Sequence, residues 1–168
     1  MQLKKPGILK QSSTLFLKTV VVFVGISVFI AMIWVPQFEG RNVNADFISI
    51  YFKDPFLAYA YIASVPFFIA LYQGFKLLGY IEKNKTFTAV SVSALRNIKY
   101  CALTLVAFII GAEAYFFIAQ RGKEDIAGGV ALGFFMILIS VIVASVMAVF
   151  EKLLQNVVEI RSENDLTI

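Results

Sequence analysis

A single carboxylate, Glu113, interrupts an apolar run that extends from Tyr100 to Gln120. Insertion of an aspartate near the middle of a membrane span costs about 2.5 to 3.5 kcal/mol, so acidic residues in spans usually face other helices or a water-filled cavity. Glu113 lies about 10 Å below the end of the run at Gln120, from the helical rise per residue. The chemistry open to such a group is proton or cation binding, or a polar contact between helices.

Three interpretations of Glu113 remain open from the sequence. In the first, apolar surroundings keep it protonated, and it shares a hydrogen bond with Tyr61 or Ser64, which fall at a similar depth on the second span. In the second, it lines an outward-facing polar pocket that binds a cation or an amphiphile. In the third, it is the proton-coupling group of a small transporter. The fourth span offers its glycines near Gly133 at this depth.

Other groups that support catalysis are scarce. The chain contains no histidine and one cysteine, Cys101, which excludes an intrachain disulfide, a Cys/His zinc site and histidine acid-base chemistry. It has no paired membrane carboxylates, no nucleophile beside a base and no phosphate-binding glycine loop. We therefore expect a protein that is not an enzyme, with no catalytic residue, metal site or cofactor.

The composition indicates the elements that position Glu113. Hydrophobic residues make up 60% of the 168 residues and charged residues 15%, against about 25% charged residues in soluble domains. Uncharged runs close to the roughly 20 residues that cross a bilayer predict spans at about 15–36, 55–78, 99–119 and 127–150. The predicted fold is all-α, a single integral membrane domain over residues 1–168 that forms a four-helix bundle in lipid.

The distribution of charge predicts the orientation. Residues 1–18 carry four lysines and no acid, and residues 76–99 carry five basic residues against one glutamate. The other two connections, 36–54 and 121–125, have no basic excess. The positive-inside rule then places both termini and the middle connection in the cytoplasm. The net charge of +4 reflects this bias, so we expect no direct binding of nucleic acid.

Small residues predict where helices approach closely. Ala60, Ala63 and Gly74 share roughly one face of the second span, and Gly129 and Gly133 form a GxxxG spacing at the start of the fourth. Each of these faces packs either against another helix of the same bundle or against a second copy in a homo-oligomer.

Amphipathic patterns extend two helices into the cytoplasm. Thr88 is positioned to cap a helix that carries Leu95 and Ile98 on one face. The fourth helix turns amphipathic beyond Phe150 and continues over about 10 residues, or some 15 Å, before the tail that completes residues 151–168. The predicted partner face comprises Leu95, Arg96, Ile98, Leu153, Leu154, Val157, Asp165, Leu166 and Ile168.

Two stretches resemble a known family. They are similar to a domain-of-unknown-function family of small four-span bacterial membrane proteins. The stretches are Phe87-Thr88 followed by Leu95-Arg96-Asn97-Ile98, and the terminal residues 164–168. The resemblance implies a gene that stands beside a small Cro/CI-type helix-turn-helix regulator. It supplies no catalytic residues.

Two hypotheses of function follow. The leading one is a signalling or regulatory membrane protein whose cytoplasmic face binds a soluble helix-turn-helix regulator. The alternative is a small proton-coupled transporter or permeability factor that uses Glu113. The lipid bilayer is a partner in both.

Overall fold

The computed structural model describes residues 6–38, 55–119 and 127–165, and four long helices account for almost all of these residues. Their bounds are Pro6–Phe38 (α1), Pro55–Glu82 (α2), Ala89–Ala119 (α3) and Ala127–Asp165 (α4). Within these ranges only the turn over residues 83–88 is not helical. All four helices are long and apolar enough to cross a bilayer, which confirms the predicted all-α class and the number of spans.

The turn between α2 and α3 is held by local hydrogen bonds. Asn84 has a φ of 53°, and the amides of Asn84 and Lys85 bond the carbonyls of Ile81 and Tyr80, which is a Schellman ending for α2. Asparagine tolerates this left-handed conformation better than most residues. Thr88 occupies the predicted N-cap position of α3, because its carbonyl accepts the first amide bonds of that helix. Its hydroxyl donates to the Lys85 carbonyl of the turn at 2.8 Å, so the side chain holds the turn.

Consecutive helices run antiparallel, because two contacts in each pair have residue numbers that rise along one helix and fall along the next. The contacts are Lys18–Glu82 and Met32–Tyr61 for α1 and α2, Tyr59–Phe108 and Phe56–Phe116 for α2 and α3, and Arg96–Glu151 and Glu113–Gly133 for α3 and α4. We call the end that holds Lys18, Glu82, Arg96 and Glu151 the basic end, and the other the opposite end.

The helices pack mainly on their neighbours in the chain. Contact is most extensive between α3 and α4, less so between α2 and α3, and least between α1 and α2. No comparable contact joins α1 to α4 among the described residues. The described helices therefore form an open row. The sequence predicted a four-helix bundle, and the structure differs because α1 and α4 share no extensive contact among the described residues.

The best-buried part of the described chain lies in the basic half of the α3–α4 contact. Its apolar members are Val92, Ala94, Leu95, Ile98, Ala102 and Ala144. Most large apolar side chains elsewhere are exposed, as expected where lipid is the solvent. The longest helix, α4, has 39 residues, which amounts to about 58 Å and exceeds a hydrocarbon core of about 30 Å.

Candidate functional site

Glu113 lies in the contact between α3 and α4, directly against Gly133. A Cβ atom built on Gly133 would overlap Oε1 of Glu113 and would lie 2.6 Å from its Cδ. Gly133 is itself buried. The absence of a side chain at this position therefore makes room for a carboxyl group between the two helices.

One carboxyl oxygen of Glu113 has no hydrogen-bond donor among the described residues. Oε2 is buried and bonds none of the groups that the structure describes. A buried polar atom without a partner costs free energy, in the range of about 1 to 3 kcal/mol. The nearest described cation on α3, Lys99, is 14 residues away, or about 21 Å along the helix. Chemically, the carboxyl group can take up a proton or a hydrogen-bond donor.

The predicted bond from Tyr61 or Ser64 to Glu113 is wrong. The Tyr61 hydroxyl donates to the Met32 carbonyl of α1 at 3.1 Å, and the Ser64 hydroxyl donates to the Tyr61 carbonyl at 2.7 Å. The Tyr61 bond therefore joins α2 to α1, whereas the Ser64 bond stays within α2. Both side chains line a cavity that Met32 and Ile33 of α1 also line.

A tyrosine that the sequence analysis did not single out joins α2 to α3. The Tyr59 hydroxyl donates to the Phe108 carbonyl at 2.7 Å, and a Cβ on Gly111 would come within 2.5 Å of the same oxygen. A tyrosine and a glycine at equal depth on adjacent spans is the signal that could have identified this contact.

An apolar cavity of about 270 Å³ opens beside this contact, near the opposite end. It is lined by Pro55, Phe56, Tyr59, Gly111, Ala112 and Tyr115. Glu113 is not part of the lining, although its neighbour Ala112 is. A polar pocket around Glu113, the second interpretation, does not coincide with this cavity.

The other predicted packing residues have looser surroundings than Gly133. A Cβ on Gly74 or on Gly129 would meet no atom within 4 Å, so neither glycine is needed for a close approach among the described residues. Ala60 and Ala63 are half-buried on α2. The predicted GxxxG contact is corrected accordingly: Gly133 alone of the pair makes it, and its partner is a carboxyl group.

A cluster of charges joins α3 to α4 at the basic end. Glu151 accepts hydrogen bonds from Arg96 Nε at 2.6 Å and from Lys99 Nζ at 2.7 Å. Glu151 is 7% exposed, whereas the side chain of Arg96 is 49% exposed. Arg96 was predicted to lie on the partner face, and its ion pair with Glu151 was not predicted.

A second ion pair ties α1 to α2 at the same end. Lys18 donates to Glu82, and its ammonium group also lies 5.6 Å from the ring centroid of Phe75. Ion pairs at the basic end thus join α1 to α2 and α3 to α4.

The predicted partner face is only partly available. Leu95 and Ile98 are buried, so their assignment to a binding surface is wrong, and Leu154 is half-buried. Leu153 and Val157 are exposed. Asp165 is the last residue of α4, whereas Leu166 and Ile168 lie outside the described residues.

Comparison with known proteins agrees with this architecture. Four helices that can cross a bilayer define the class, a multi-pass membrane protein. The chain belongs to the family described as Protein of unknown function (DUF2975), which matches residues 18–168.

The chain is also similar to "Uncharacterized membrane protein YoaS" of Bacillus subtilis (strain 168). The two are 38% identical over 161 residues, which cover 95% of this chain and 100% of that relative. No solved structure matches. The resemblance to a family of unknown function is therefore confirmed, while the regulator gene beside it stays a prediction.

Proposed function

We propose that this protein is a regulatory protein of the bacterial cytoplasmic membrane whose basic end binds a small soluble helix-turn-helix regulator. The observation that carries the proposal is the cluster of Glu151 with Arg96 and Lys99, which joins α3 to α4 where burial is greatest. A binding surface is more precise on such a rigid support than on a loop. The gene neighbourhood implied by the family resemblance suggests the partner.

This proposal requires that both termini lie in the cytoplasm. This orientation is supported by the excess of basic residues at the basic end, which the positive-inside rule assigns to the cytoplasm. The single cysteine allows a direct test in a Cys101→Ser background. Lys83→Cys should react with a membrane-impermeant maleimide only after the cells are permeabilised, and Gly128→Cys should react in intact cells. The reverse pattern would contradict the orientation.

The surface offered to the regulator lies around the turn between α2 and α3. Phe87 and Val90 are 50% and 54% exposed, and the guanidinium of Arg96 follows on the same helix. Apolar side chains beside a cation favour a partner with an apolar patch and an acidic rim. The sequence adds residues 162–168 to the proposed interaction, of which 166–168 lie outside the described residues.

Copurification in mild detergent tests this surface. Val90→Glu should reduce the amount of the neighbouring regulator retained by at least about tenfold, as for a central interface residue. Phe117→Ala is the matched control, since Phe117 is 56% exposed at the opposite end. A wild-type protein that never retains the regulator, or a deletion of residues 162–168 that leaves the target genes unchanged, would rule the proposal out.

A second function, proton-coupled transport, is favoured by one observation, the unpartnered Oε2 of Glu113. A carboxyl group in this position is available to bind and release a proton. In proteoliposomes, Glu113→Gln should abolish substrate-dependent proton movement while the protein still folds. Equal flux in both forms would end this alternative.

A further inference from the structure

Helix α4 carries two parallel stripes of side chains. One stripe faces α3, because it includes Gly133, which packs on Glu113, and Glu151, which binds Arg96. Its members are all buried or half-buried: Gly133, Ile137, Ser140, Ala144, Met147, Glu151, Leu154 and Val158.

The second stripe is apolar throughout and has no partner among the described residues. We call it the outer stripe, and it consists of Leu132, Met136, Ile139, Val143, Val146, Phe150, Leu153, Val157 and Ile160. Every member is exposed, from 36% for Val143 to 68% for Leu132. Successive members are separated by alternating steps of four and three residues, without a break over the whole stripe.

This spacing is that of a coiled-coil seam. An average spacing of about 3.5 residues between apolar side chains keeps one narrow stripe facing a partner helix. The surface of a lone helix does not need this alternation of steps. Up to Phe150 the other exposed residues of α4 are also apolar, among them Phe135, Leu138 and Ile142, as lipid contact requires. Beyond Phe150 only Leu153, Val157 and Ile160 keep the spacing while the exposed residues around them are polar, and there the pattern indicates a helix as the occupant of the outer stripe.

Lipid also cannot cover the whole stripe. From Leu132 to Ile160 the helix rises about 42 Å, which exceeds the roughly 30 Å of a hydrocarbon core. Beyond Phe150 the rest of the surface becomes polar: Gln155 donates to Glu159 at 3.2 Å on the opposite side of the helix. Leu153, Val157 and Ile160 consequently extend into water if lipid alone surrounds α4.

We propose that the outer stripe is the interface of a homodimer, in which α4 packs in parallel against α4 of a second copy. With both termini inside in every copy, as proposed above, two α4 helices brought together side by side are parallel. The exposed surface of the nine side chains comes to roughly 800 Å², the amount that each partner contributes to a standard-size interface.

The geometry of the chain leaves space for this second copy. The outer stripe lies one residue, about 100°, around α4 from the stripe that faces α3. In heptad terms Leu153 falls at d and Val157 at a, a combination that favours two strands. The flanking positions bring Asn156 opposite Arg161 of the second copy, so no like charges meet there. This face is separate from the turn proposed to bind the regulator.

Disulfide cross-linking in native membranes tests the proposal, with Cys101→Ser as the background. Val157→Cys lies in the seam, and Gln155→Cys is the matched control two residues away on the far side of the helix. Because a disulfide needs Cα atoms within about 7 Å, mild oxidation should yield at least about tenfold more cross-linked dimer from Val157→Cys than from Gln155→Cys.

Three outcomes would overturn the proposal. These are equal cross-linking at both positions, a preference for Gln155→Cys, or an adduct whose mass is not twice that of the chain. An independent measurement uses charge: Leu153→Glu with Val157→Glu should convert the dimer to a monomer by single-molecule photobleaching in bilayers, and Gln155→Glu should not. A double variant that stays dimeric would also overturn it.

Discussion

The carboxyl group of Glu113 fills the space beside α4 that a side chain at Gly133 would occupy. The two residues are complementary in volume, since one helix contributes a polar side chain and the other contributes no side chain at all. The acid is thus held in a helix contact, with one oxygen that no described group satisfies.

Substitution of Gly133 by alanine should destabilise the protein. The added methyl group would overlap the Glu113 carboxyl, and overpacking of this kind costs about 1 to 3 kcal/mol. The free energy of unfolding in mixed micelles measures the effect. Gly129→Ala is the control, with an expected change within about 0.5 kcal/mol, because a Cβ there meets nothing within 4 Å.

A double-mutant cycle identifies the cause. In a Glu113→Ala background the carboxyl group is absent, so Gly133→Ala should cost much less than in the wild type. An equal cost in both backgrounds would show that the two side chains do not compete for this space.

Replacement of Glu113 by methionine should stabilise the protein. The two side chains are similar in length, and the change removes a buried oxygen without a partner, which costs about 1 to 3 kcal/mol where it is present. Thermal unfolding in detergent should therefore shift to higher temperature. A lower midpoint would mean that Glu113 has a bonding partner in the membrane.

Loss of the charge on Glu151 should weaken the contact between α3 and α4. Glu151→Gln leaves Arg96 and Lys99 without their carboxylate, and the midpoint of thermal unfolding should fall by about 5 °C. Glu159→Gln is the control, because that exposed residue bonds only Gln155 among the described residues. Equal midpoints for the two variants would contradict a structural role for the cluster.

Removal of the Tyr59 hydroxyl should cost one hydrogen bond between α2 and α3. Tyr59→Phe deletes the donor to the Phe108 carbonyl, with an expected loss of about 0.5 to 1.5 kcal/mol in the free energy of unfolding. Tyr115→Phe changes a tyrosine that is 46% exposed near the same cavity, and it should have little effect. A larger loss for Tyr115→Phe would show that the Tyr115 hydroxyl, and not the Tyr59 hydroxyl, makes the stabilising hydrogen bond.

Several features were predictable from the sequence because they depend on one helix at a time. Runs of about 20 apolar residues imply helices, since every backbone group in lipid must bond within its own segment. The start of α3 after Thr88 follows from local capping, and the depth of Glu113 follows from the rise per residue. These properties are read along the chain and need no knowledge of neighbours.

The partners of the polar groups were not predictable in the same way. Tyr61, Ser64 and Gly133 all fall near the depth of Glu113, but only Gly133 faces it. Depth is set by position along a helix, whereas the direction of a side chain depends on how that helix is rotated against its neighbours. Leu95 and Ile98, which the structure buries, were assigned to the partner face for the same reason.

The sequence by itself determined the class of protein, the number of spans and the position of the intramembrane acid. Only the tertiary structure decided that Glu113 meets Gly133, that Glu151 binds Arg96 and Lys99, and that the outer stripe of α4 stays uncovered. The physical reason is that spans follow from the transfer of side chains into lipid, which each segment undergoes alone. Contacts follow from the packing of helices against one another, which depends on the rotation of every helix in the row.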